Sequence, residues 1–203
     1  MFKLIKIGFL LTLIVVAFEA GKLWQDKRSL QDTLVRLHVV ANSDSPHDQE
    51  LKLKVKDAIV AYITPYMKDV DSRDEALTFL GEHLEEIRVI GQKVLEEFGV
   101  SDDIQVLLGE KNFNTREYDT FTLPAGIYQT LQVNIGNAEG KNWWCVAFPT
   151  LCMPSSAAGF ADVAASAGLN GEVTNTLMQE DGYVLRFYFL DQLGKLENLF
   201  SGT

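Results

Sequence analysis

The feature that most restricts this chain is its N-terminus. Lys3 and Lys6 precede an uncharged, mainly apolar run from Ile7 to Phe18. As a helix those residues span about 18 Å, short of a ~30 Å hydrocarbon core. A buried helix of a soluble domain would show apolar–polar periodicity, and this run shows none. A positive region followed by a short apolar one is the pattern of a secretory signal peptide. Cleavage after Ala20 fits less well, because Phe18 then occupies a position that prefers a small residue. The alternative is a short signal anchor whose flanking residues snorkel to complete the span. Residues 1–20 are therefore assigned as signal peptide or signal anchor, 21–33 as a polar tether, and 34–203 as a single globular domain.

That domain is large enough for one real core. The chain carries 18 basic and 28 acidic residues, a net charge of −10. It has no basic stripe, so nucleic acid is not an expected partner, since phosphate neutralisation supplies most of that affinity. Contact with membrane is expected only through the N-terminal segment.

Leu34 to Ala41 alternates, with Val35, Leu37 and Val39 on one face and Leu34, Arg36, His38 and Val40 on the other, which predicts a strand. Ser45 and Pro46 then cap and start a helix expected to run to about Ile63 and to stop at Pro65. Ser72 and Glu75 form a capping box for a second helix, closed by Gly99. Alternation returns at Ile104–Leu108 and Leu131–Ile135, and aromatic-rich strands are expected at 143–148 and 183–190. Residues 155–171 have no clear period and are expected to form a loop with room for a short helix, and 193–200 a short terminal helix. The order predicts an α+β fold: an N-terminal strand and two helices, then a mainly antiparallel sheet.

No phosphate-binding loop, dinucleotide fingerprint, zinc-protease motif or nucleophile elbow is present, and the three histidines have no metal-ligand spacing. No cofactor, metal or catalytic residue is assigned. Cys145 with His38 is a weak candidate nucleophile pair, having no orienting third group. Cys145 and Cys152 are also close enough in sequence for an exported disulfide, against the alternative of two buried thiols. Arg36, His38, Asn42, Ser43 and Asp44 form a dense polar set where a strand meets a helix, and one of Trp143 and Trp144 is expected near it. The competing reading of Arg36 and His38 is that they are buried and paired with acidic residues of the first helix.

Three blocks carry a family resemblance: RLHVVANSDSPHDQELKLKVKDAI (36–59), FNTREYDTFTLPAGIYQTLQVNIG (113–136) and NWWCVAFPTLC (142–152). In order and spacing they resemble the stage II sporulation protein R family. Members often have a second proline where Thr150 stands and a shorter segment than 155–171. The resemblance implies a protein made in the forespore and exported into the space between forespore and mother cell. There it activates a membrane-embedded aspartic protease of the mother cell, stage II sporulation protein GA, which processes a sigma-factor precursor. It implies a signalling protein and not an enzyme. An exported hydrolase acting in the cell envelope is the alternative.

Overall fold

The computed structural model describes residues 2–118, 121–150 and 157–166, together with 169, 171, 174, 177, 178, 191, 192 and 195. The strand expected at 183–190 and most of the expected helix at 193–200 lie outside the described residues.

Helix α1 (Phe2–Thr33) runs without a break from the apolar segment into the folded body. The stretch expected to be a tether is thus helical throughout. Its last turns dock: Leu30 is 1% exposed and Leu34, just past its end, is fully buried. Within Ile5–Thr33 lies an apolar stretch long enough to cross a membrane, and the rest of the chain buries none of that stretch.

Strand β1 (Val35–Val40) begins two residues later. Helix α2 spans Pro46–Met67. Pro65 does not stop it at Ile63, because a proline in the final turn removes a single backbone hydrogen bond and only two helical residues come after it. The second predicted helix is two: α3 (Arg73–Glu82) and α4 (Leu84–Glu97). They part at His83, whose backbone leaves helical geometry and whose ring stacks on Phe79 at 4.1 Å. Gly91 in α4 then lets the helix approach the sheet, since a Cβ there would fall 2.6 Å from Ile104 Cδ1.

Next come β2 (Ile104–Phe113), the short pair β3 (Arg116–Glu117) and β4 (Thr122–Leu123), β5 (Gly126–Ile135), β6 (Asn142–Phe148) and α5 (Ala157–Ser166). The main sheet has the order β2-β5-β1-β6, with β3 and β4 forming a separate hairpin. The β1–β5 pair is parallel, while β1–β6 and β2–β5 are antiparallel. The fold is α+β, as expected, with a mixed sheet in which the first strand is interior.

Period-2 alternation sorts β1 between two cores. Val35, Leu37 and Val39 join Leu131, Val133, Ile135 and Cys145 beneath α2 and α4. The opposite face packs against Leu30, Leu34, Phe113, Phe121, Leu123, Tyr128, Val146, Ala164, Leu169 and Leu177. Every residue of β1 is buried. Two of those on the second face are Arg36 and His38.

Candidate site on the second face of the sheet

Arg36 is fully buried. Its guanidinium lies 3.8 Å from the centroid of the Phe113 ring and 5.2 Å from that of Tyr128, so aromatic faces cover the ion. Nη2 donates to the Tyr118 hydroxyl at 2.8 Å. Nε and Nη1 have no partner. Burial lowers the pKa of the group, opposed by Tyr118 and Tyr128 and reinforced by Arg116.

His38 is 3% exposed and stacks on Trp144 with centroids 3.8 Å apart. Its Nε2 donates to Asn142 Oδ1 at 2.7 Å, and Nδ1 is buried without a partner. Loss of hydration pushes its pKa down to about 4, with Lys111, Arg36 and Arg116 adding positive field against the Asn142 hydrogen bond. The ring is therefore neutral at pH 7.

The same face holds two further cations. Arg116 lies over Trp144 at 4.8 Å and its buried Nε is unpaired. Lys111 Nζ donates to Gln132 Oε1. No carboxylate among the described residues pairs with Arg36, His38 or Arg116. Arg36 and His38 are thus buried, as the competing reading had it, but they are not paired with acids of α2, which packs on the other side of the sheet; nor do they share one surface with the turn at Asn42–Asp44.

Asn42, Ser43 and Asp44 lie elsewhere, in the β1–α2 turn. Ser43 Oγ donates to Asp48 Oδ2 at 2.6 Å and Asn42 Nδ2 to the same oxygen at 3.2 Å. Asp48 N–H caps on Ser45 Oγ at 3.1 Å. Asp44 Oδ1 accepts from the Lys141 backbone N–H at 2.7 Å, and Asn42 Oδ1 from that of Asn137 at 2.9 Å. The polar density thus ties the turn to the β5–β6 loop. Gly140 permits the contact, since a Cβ there would lie 2.2 Å from the Ser43 carbonyl oxygen. Buried Lys52 extends the tie, donating to Gln49 Oε1 at 2.7 Å and the Lys141 carbonyl at 3.0 Å.

The two tryptophans point to opposite faces, as strand geometry requires. Trp144 belongs with His38, while Trp143 is 37% exposed under Lys56 of α2, 4.8 Å from its ring. Cys145 pairs in register with Leu37, on the helix side. The Cys145–His38 pair considered as a nucleophile is therefore split across the sheet. Cys145 is disulfide-bonded; Cys152 lies outside the described residues. Among the described residues, no group of three or more His, Cys, Asp or Glu could hold a metal ion.

Sequence pattern placed Arg36 and His38 on a common face, with one tryptophan expected near them. It missed Phe113, Arg116, Tyr118 and Tyr128, which reach that face from β2, the hairpin and β5. The one available signal was their concentration in the block 113–136.

Comparison with known proteins decides the family. The model for stage II sporulation protein R matches residues 31–158. The chain belongs to the stage II sporulation protein R family. A curated relative of that name from Bacillus subtilis (strain 168) is 39% identical over 123 residues, covering 61% of this chain and 55% of the relative. The chain thus aligns with little more than half the relative's length. No solved structure matches. The family match begins at residue 31, inside the last turn of α1, and takes in β1, the Arg36 face, the polar turn and both tryptophans.

Proposed function

We propose that this chain is an exported sporulation signal that acts in the space between forespore and mother cell, where it activates a membrane-embedded aspartic protease of the stage II sporulation protein GA kind. Membership of the stage II sporulation protein R family supports the process. The observation that carries the geometry is the continuity of α1 with the domain: one helix leads from a membrane-compatible segment to Leu30 and Leu34 in the core. A domain so mounted sits beside a bilayer, within reach of a membrane protein in the facing one. The signal acts by binding the protease better in its active state than in its inactive one, because equal binding shifts nothing. Of the residues proposed for recognition, Asp44 and Trp143 are exposed, Asn42, Ser43 and Trp144 are part-buried, and Arg36 and His38 are buried.

Co-expression of the full chain with the protease and its sigma-factor precursor tests this reading. Processing is expected only when all three are present. Processing that proceeds equally without the chain overturns it.

A further inference from the structure

We propose that the second face of the sheet holds a carboxylate-binding site centred on Arg36. A chain of net charge −10 places Arg36, Lys111 and Arg116 around one small volume without giving Arg36 or Arg116 a carboxylate among the described residues. Burying an unpaired cation is costly, and proteins normally supply the counter-charge. Here Arg36 is fully buried and makes one side-chain hydrogen bond, to a neutral hydroxyl. Its Nε and Nη1, and Nε of Arg116, face no acceptor. Three unmet donors on two neighbouring cations describe a site built for an anion that none of the described residues provides.

The rings select the shape of that anion. The Arg36 guanidinium lies over the Phe113 ring at 3.8 Å and the Tyr128 ring at 5.2 Å, and these two rings stand at 87° to each other, so aromatic surface narrows the approach to its free donors. A planar carboxylate meets a guanidinium edge with two parallel hydrogen bonds. Tetrahedral phosphate is bulkier than a carboxylate and is the harder fit between two perpendicular rings. Tyr118 is the group a carboxylate displaces: it sits in the segment joining β3 to β4, outside the main sheet, and is half-buried. Trp144, stacked on His38 and under Arg116, forms a side wall. The carboxylate comes from an acidic peptide segment or from a free small acid. The first source rests on the recognition role proposed above; the binding itself does not.

The test uses the purified full chain in detergent, with succinate, a capped glutamate-containing peptide and inorganic phosphate as probes. Melting temperature and tryptophan fluorescence report binding. Succinate or the peptide is expected to raise the melting temperature of the wild type, and at least tenfold more ligand is needed for Arg36→Met. In anion-free buffer Arg36→Met melts no lower than wild type, because it removes an uncompensated charge. Tyr118→Phe frees a donor and binds several-fold tighter. Tighter binding of the peptide assigns the carboxylate to a protein partner, and tighter binding of succinate to a small acid. Equal responses of wild type and Arg36→Met, or none in either, overturn the site. So does a phosphate response equal to that of the carboxylates. If Arg36→Met does not fold, unchanged affinity in Tyr118→Phe overturns it alone. Precursor processing is scored separately, so activation and anion binding fail independently.

Discussion

His38 is a buried neutral ring with its pKa at about 4. An unfolded histidine titrates near 6.5. Between those values the unfolded chain binds a proton that the folded one refuses, so stability falls as pH drops from about 6.5 to about 4 and is level above that window. The loss is at most ~3 kcal/mol. Thermal melts of His38→Gln are expected to show a shallower pH dependence over this window than wild type; an identical slope would mean the ring does not set it. Asp48 works with the opposite sign. Hydrogen bonds from Ser43 and then Asn42 hold its carboxyl below its ordinary pKa, so its contribution is present above that value and is lost as pH falls through the folded one. Asp48→Ala should cost about 2 kcal/mol at pH 7, read by denaturant unfolding. Asn42 and Ser43 drew attention as excess polarity, yet both are consumed by this carboxylate. What sequence could not show is the loop that Asn42 and Asp44 fasten, because it lies far along the chain, at Asn137–Lys141. The same separation hid the aromatic cover of Arg36: alternation told which way β1 side chains point, and nothing in it told what lies opposite.

Among the elements, alternation made β1, β2 and β5 legible because each strand buries at least one apolar face, and aromatic content marked β6. The break between α3 and α4 was not, since the helix parts at His83 through a local backbone change that no helix-breaking residue marks. Gly91 serves packing. The junction of the β1–α2 turn with the β5–β6 loop is a closely fitted contact between elements. Gly140→Ala places a methyl against the Ser43 carbonyl and must separate Gly140 N–H from Ala41 O, now at 2.9 Å. A loss of about 1–3 kcal/mol is expected, with Gly109→Ala, where a Cβ meets nothing within 4 Å, as the neutral comparison. Cys145 anchors the β6 end of a further link. Alkylation of the unreduced exported protein should add no mass if Cys145 and Cys152 are bridged, and two alkyl groups would remove that pairing.

For the whole molecule, the decisive region is where α1 enters the domain. Deleting residues 1–20 should leave a folded domain and abolish precursor processing in sporulating cells; processing at the normal level would separate signalling from the apolar segment. The sequence marked that segment by charge and hydropathy but did not show that residues 21–33 continue the helix, because a polar helix and a polar linker differ in composition very little. The difference matters mechanically. A flexible linker would let the domain face any direction, whereas a helix fixes its compass bearing. Each residue added to a helix turns the domain beyond it by about 100°, and seven residues restore the bearing to within about 20°. Single-residue insertions between Gly21 and Asp26 should therefore aim the domain away from its target and weaken processing. A seven-residue insertion lifts the domain by about 10 Å but points it almost as before, and should recover more activity than an insertion of two. Signal strength would then depend on angular phase and not length, as a key works only when its teeth face the tumblers.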